Sequence, residues 1–206
     1  MNTALQEELE TPAPGLALDL SLWSLLIALI NLPLLLGSFN APMMLTTAAI
    51  TEGEWWRWIT HPFVHVSFYH LFLDASAFLT LYAMLPQRSA RARCLVVFSC
   101  AFGSLLAALS AQALTQTLGF CGLSGIAHGL MAFVGLEMAS GRENARQIRF
   151  AGGFCFLLAA GKSIMEAGTG AMVFDFIHFG SVGSPIAACH AGGALGGLMA
   201  FVCKEA

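Results

Sequence analysis

Hydrophobic positions in this chain gather into long unbroken runs, with neither the stripe of a surface helix nor the alternation of a half-buried strand. Six apolar segments emerge, at about 21–37, 63–85, 94–113, 120–139, 150–166 and 185–202. A helix needs about 20 apolar residues to cross the roughly 30 Å hydrocarbon layer of a bilayer. The pattern therefore predicts an all-α membrane protein with six transmembrane helices in one domain, residues 21–206. The first and fifth runs are short for a bilayer. Residues 1–20 hold Glu7, Glu8, Glu10, Asp19 and two prolines and read as a short disordered tail. "EGEWWRW", residues 52–58, reads as interfacial, because indole rings favour the headgroup region.

Composition sharpens the class. The chain is 57% hydrophobic and 10% charged, against about 25% charged in ordinary soluble domains. No basic stripe is interleaved with aromatics, so nucleic acid is not an expected partner. The first basic residue is Arg57, so no cleavable-signal pattern is expected. Arg88, Arg91 and Arg93 separate spans two and three; Arg142, Arg146 and Arg149 separate four and five; Lys204 follows six. All of these fall on one side of a six-span topology, which the positive-inside rule makes cytoplasmic together with both termini. Only Arg57 and Lys162 lie outside the set.

Small residues point to helix contacts. Gly192 and Gly196, Gly193 and Gly197, and Gly125 and Gly129 each repeat at the interval that lets membrane helices approach closely. Spans four and six are expected to touch. The cysteines at 94, 100, 121, 155, 189 and 203 form no C-x-x-C pair and read as small hydrophobes. A bridge between Cys121 and Cys189 stays open as an alternative. No metal or cofactor is called for.

Within this apolar frame, "GLSGIAHG" (122–129) places a serine between glycines. Ser124 lies about four residues into span four and His190 about five into span six, on the same expected face. At ~1.5 Å rise per residue each sits roughly 6–8 Å below its helix start. A serine hydroxyl needs a base to become a nucleophile, and imidazole titrates in the right range. Gly122 would allow a tight turn into the helix, whose first backbone N–H groups could face an oxyanion. His128 is a competing base, read as a supporting or packing group. In span two, His70 and Asp74 are one turn apart. His70 could donate to an oxyanion, and Asp74 could do so only if protonated. An ionised Asp74 that orients a histidine is the alternative. His61 and His65 read as loop-shaping. Lys162 and Glu166 read as a mutual ion pair, with a grip on a polar substrate segment as the other option. Asp175 and His178 are assigned nothing.

Together these residues resemble the rhomboid family of intramembrane serine proteases. The resemblance runs from "EWWRWITHPFVHVSFYHLFLD" (54–74), like the family's W-R…F-x-H-x4-H-x3-N segment, through "GLSG" (122–125), to "HAGGALGG" (190–197). It implies a six-transmembrane-helix rhomboid-like bundle. It also implies that Ser124 is the nucleophile and His190 the base, with His70 and the main chain near Ser124, at Leu123, forming the oxyanion hole. Asp74 departs from the family's asparagine. "GLSGIAHG", "AGKSIMEAGTG" and "GSPIAACHAGGALGG" look most like the rhombosortase subgroup. That likeness implies a multi-pass protein of the bacterial inner membrane, acting at its outer face. The substrates it implies are membrane-anchored proteins with a C-terminal Gly-Gly-type tail signal. The competing expectations are a catalytically silent relative that binds membrane segments, which Asp74 would favour, and a small-solute transporter. The transporter would need inverted repeats and midplane polar sites, and neither is apparent.

Overall fold

The computed structural model describes residues 13–87, 89–110, 119–173, 179–183 and 186–204. Six long helices form the frame: α1 (Leu16–Ile30), α2 (Phe68–Ala83), α3 (Ala90–Ser110), α4 (Ser124–Ser140), α5 (Arg146–Thr169) and α6 (Ala188–Lys204). Among the described residues the remainder is short helical turns, loops and one isolated antiparallel bridge, Leu45 with Phe120. Residues 1–12, Arg88, residues 111–113, residue 185, Asp175 and His178 lie outside the described residues.

Each expected span corresponds to one long helix with boundaries shifted by several residues, and three of the differences have physical reasons. The first helix starts at Leu16 rather than 21. Asp19, taken from sequence as part of a polar tail, is instead bound within the bundle, with its carboxylate 2.6 Å from Arg93 Nη2 and 2.7 Å from the Tyr82 hydroxyl. The fifth span, expected to be short, is the longest helix at 24 residues. Its polar residues, Arg146 and Arg149 at the start and Lys162 and Glu166 inside, interrupt the hydropathy without interrupting the helix. The fourth span starts as non-helical chain and becomes helical only at Ser124. There Gly119 (φ 78°) and Gly122 (φ 101°) take left-handed backbone that other residues avoid.

Helix length divides the bundle. α3 and α5 are long and apolar enough to cross a membrane alone, and the segment Arg57–Phe63 joined to α2 makes a third, bent by 96°. α4 and α6, with 17 residues each, span only about 26 Å at 1.5 Å per residue. Non-helical chain at residues 119–123 therefore precedes α4 where a longer helix would be expected. Irregular backbone at such depth is stable only when buried in protein or lining a watery cavity. Here the Phe120 amide and carbonyl exchange hydrogen bonds with Leu45 at 2.8 and 3.0 Å, and the Gly122 N–H donates to the His61 carbonyl at 3.2 Å.

α6 is the central packing element, and its two glycine registers meet two different helices. A methyl group at Gly193 or Gly197 would overlap the carbonyls of Gly125 and Gly129 on α4. One at Gly192 or Gly196 would overlap those of Gly103 and Ser99 on α3. The expected contact of spans four and six is present, and α3 is gripped by the same helix from the other side. The outward surface stays apolar, with Phe98, Phe102, Phe150, Phe154, Leu157 and Ile164 all exposed. A membrane supplies the solvent for such a surface.

Candidate active site

The polar residues collect at the two ends of the bundle. At the end holding the starts of α4 and α6, the first turn of α4 presents Ser124 and the first turn of α6 presents His190. The helices touch through glycines, so the two side chains meet: His190 Nε2 is 3.1 Å from Ser124 Oγ. His190 is buried, at 3% exposure.

The other ring nitrogen fixes the tautomer. His190 Nδ1 is 2.6 Å from Glu166 Oε2 on α5. An ionised carboxylate only accepts, so Nδ1 carries the hydrogen and Nε2 presents its lone pair to the serine hydroxyl. Glu166 is fully buried, and its second oxygen accepts from Lys162 Nζ at 2.7 Å and from the Val173 N–H at 2.9 Å. The expected Lys162–Glu166 ion pair is present, but the carboxylate also holds the imidazole. Sequence reading missed this contact. α5 comes back past α6 at that height, and no spacing between residues 166 and 190 announces it. The signal available was an acidic residue inside an apolar segment.

His128 supports the same group. Its ring stacks on that of His190 at 4.0 Å between centroids. Its Nδ1 faces the Ser124 carbonyl at 2.8 Å and its Nε2 faces Lys162 Nζ at 3.2 Å. A carbonyl accepts and an ammonium donates, so His128 is the neutral Nδ1–H tautomer. Ligand atoms of His128, Glu166 and His190 lie within 4.8 Å of one another, a set that could hold a metal ion. Lys162 Nζ, between His128 Nε2 and Glu166 Oε1, already supplies a positive charge there.

A second group faces this one across the cavity. Ser67 caps α2 by accepting from the His70 N–H at 3.0 Å, which sets His70 and Asp74 on the face turned toward residues 119–124. A Cβ on Gly122 would stand 2.8 Å from His70 Nε2 and 2.9 Å from Asp74 Oδ2. Only glycine can bring the chain this close. His70 Nδ1 faces the Val66 N–H at 3.5 Å, which leaves the hydrogen on Nε2, 3.2 Å from Asp74 Oδ2. His65 Nε2 lies 3.5 Å from the same oxygen, while its Nδ1 donates to the Phe63 carbonyl at 3.1 Å. Neither His65 Nε2 nor Asp74 Oδ2 has a hydrogen bond of good geometry. Buried Asn31 holds the loop in place, donating to the Phe63 carbonyl at 2.7 Å and accepting from the His65 N–H at 3.1 Å. His61 packs against Phe120 with tilted rings 4.9 Å between centroids, shaping the loop before Ser124.

Ser124, His190, His128, Lys162, His70 and Asp74 all line one cavity of about 400 Å³, completed mainly by apolar side chains. Leu123, the N-cap of α4, is fully buried, and its role there can only be through the main chain. The helix start leaves the first amides without partners in their own helix. Cys121 and Cys189 also line the cavity, and all six cysteines are unpaired, so the bridge left open between these two is not formed.

The arrangement is that of a membrane helix bundle with a serine and a histidine from neighbouring helices meeting in a partly open pocket. A family model for the Rhomboid domain matches residues 52–204. The chain belongs to the rhomboid family, whose members are intramembrane serine proteases acting on membrane proteins. No curated protein matches the chain.

Proposed function

We propose that the protein is an intramembrane serine endopeptidase that works through Ser124 and His190. The observation that carries this reading is the 3.1 Å contact from His190 Nε2 to Ser124 Oγ inside a cavity. His190 takes the hydroxyl proton as Ser124 Oγ attacks the scissile carbonyl carbon. The carbonyl electrons move to oxygen, where the main chain at Leu123 and Ser124 and the His70 Nε2–H can meet the developing charge. Collapse breaks the C–N bond, with the imidazolium proton passing to the leaving nitrogen, and water then releases the acyl group by the same steps. Asp74 serves the oxyanion site by its place beside His70, its Oδ2 3.2 Å from His70 Nε2 above Gly122. The loop at residues 119–123 supports this assignment, because Gly119, Phe120 and Cys121 line the cavity with non-helical chain where a continuous helix would seal it.

The substrate is a membrane-anchored protein with a C-terminal Gly-Gly-type tail signal, a reading supported by the rhombosortase-like segments around Ser124, Glu166 and His190. Glycine costs about 1 kcal/mol against alanine in a helix, so such a segment unwinds readily and can enter the cavity as extended chain. The enzyme lies in the bacterial inner membrane with both termini cytoplasmic and the cavity toward the outer face. Co-expression with a Gly-Gly-tailed membrane protein tests the reading. Processing by the wild type and none by Ser124→Ala is expected; equal processing by both would overturn it.

A further inference from the structure

We infer that Glu166 is the positioning residue for His190, so that the reaction centre is a Ser124–His190–Glu166 triad with Lys162 as its built-in counter-ion. The inference rests on the roles proposed above for Ser124 and His190. The hydrogen bonds form a ring that begins and ends on the nucleophile. Ser124 Oγ faces His190 Nε2 at 3.1 Å, and His190 Nδ1 donates to Glu166 Oε2 at 2.6 Å. Lys162 Nζ donates to Glu166 Oε1 at 2.7 Å and lies 3.2 Å from His128 Nε2. His128 Nδ1 closes the ring on the Ser124 carbonyl at 2.8 Å.

Each member answers a physical need. A lone imidazole can carry its proton on either nitrogen and can rotate; a carboxylate on Nδ1 selects the tautomer that leaves Nε2 able to accept. When the serine proton arrives on Nε2, the Nδ1–H stays on the ring and the carboxylate stabilises the imidazolium. A fully buried carboxylate without compensation would be costly, and Lys162 on the same helix face neutralises it. Lys162 and the Val173 N–H also occupy Oε1, leaving Oε2 for the imidazole. His128 stacks against His190 and limits its rotation. A purely structural ion pair between Lys162 and Glu166 would not require the 2.6 Å contact to the base.

The test compares wild type, Glu166→Gln, Glu166→Asp and Ser124→Ala, all as full chains in detergent or lipid discs. The readout is the rate of labelling by a fluorophosphonate probe as a function of pH, with thermal unfolding measured alongside. The titratable groups facing the pair are Lys162, His128, Cys189, Cys121, His70 and Asp74, and all stay constant across the series. The expected result for Glu166→Gln is a fall on the order of 100- to 10,000-fold in plateau rate. Its acid limb should move to lower pH, because the amide no longer stabilises the imidazolium. Glu166→Asp should recover part of the rate. A folded Glu166→Gln with wild-type rate and profile overturns the triad while leaving the Ser124–His190 reading intact. A wild type that never labels overturns both. A second measurement needs no variant of Glu166 to fold: proton NMR of wild-type protein with ¹⁵N-labelled histidine. A strongly low-field Nδ1–H resonance that disappears in His190→Ala supports the triad, and the absence of any such resonance overturns it.

Discussion

Two carboxylates sit in partly buried ion pairs at opposite ends of the bundle, in different surroundings. At the basic end, Asp19 on α1 lies 2.6 Å from Arg93 on α3 and 2.7 Å from the Tyr82 hydroxyl on α2. Arg93 is fully buried and also donates to the Gln87 and Pro14 carbonyls at 2.8 and 3.2 Å. This pair joins three helices, and its residues do not line the cavity. At the other end, Glu166 meets Lys162 at 2.7 Å, but a third partner, His190, connects it to a hydroxyl in a cavity. Similar charges give a clamp between helices in one place and, in the other, a carboxylate linked through an imidazole to a serine hydroxyl. The difference lies in the partners: Asp19 Oδ2 meets fixed donors, Arg93 and the Tyr82 hydroxyl, whereas Glu166 Oε2 meets an imidazole that can change charge.

Substitutions at the two ends should therefore separate activity from stability. The largest effect is expected at the cavity: Ser124→Ala and His190→Ala should each reduce cleavage on the order of 10⁴-fold or more, with little change in unfolding temperature for Ser124→Ala. Cleavage in membranes, scored against thermal unfolding, checks this. At the basic end, Asp19→Ala strands a buried guanidinium and should cost about 3–5 kcal/mol of stability. The folded fraction should cleave normally, as activity per folded molecule would reveal. A denaturation series on Gly193→Ala should show a loss of about 1–3 kcal/mol, because the added methyl meets the Gly125 carbonyl. That variant should lose cleavage as well, since the same contact sets the distance between Ser124 and His190; normal cleavage would break the link between helix packing and the dyad. The smallest effect is expected for Asp74→Asn, which should keep activity within a few-fold or raise it. Asp74 Oδ2 makes no well-formed hydrogen bond that the amide would lose. Abolished cleavage in a folded Asp74→Asn protein would show that a carboxylate is required.

Much of this architecture was legible in the chain, because a bilayer imposes long apolar runs and close helix contacts need small residues. Gly193, Gly197, Gly125 and Gly129 announced the α4–α6 contact for that reason. The serine and histidine were legible because polar groups are rare at such depth. Three features were not. The early start of α1 was hidden because Asp19 looks like a tail residue until Arg93 is placed beside it. The delayed start of α4 was hidden because Phe120 and Cys121 are as apolar as helix residues, and hydropathy does not register a positive φ at Gly122. Glu166 was hidden because its natural partner by spacing is Lys162, one turn away. Its contact with His190 depends on how α5 passes α6, a long-range property that local pattern does not encode.

The most direct test of the central claim is to map, by peptide mass spectrometry, where a fluorophosphonate attaches to the purified protein in lipid. The account predicts one adduct, on Ser124, that is missing from the His190→Ala protein. An adduct on another residue, or labelling of Ser124 that survives the loss of His190 unchanged, would contradict it.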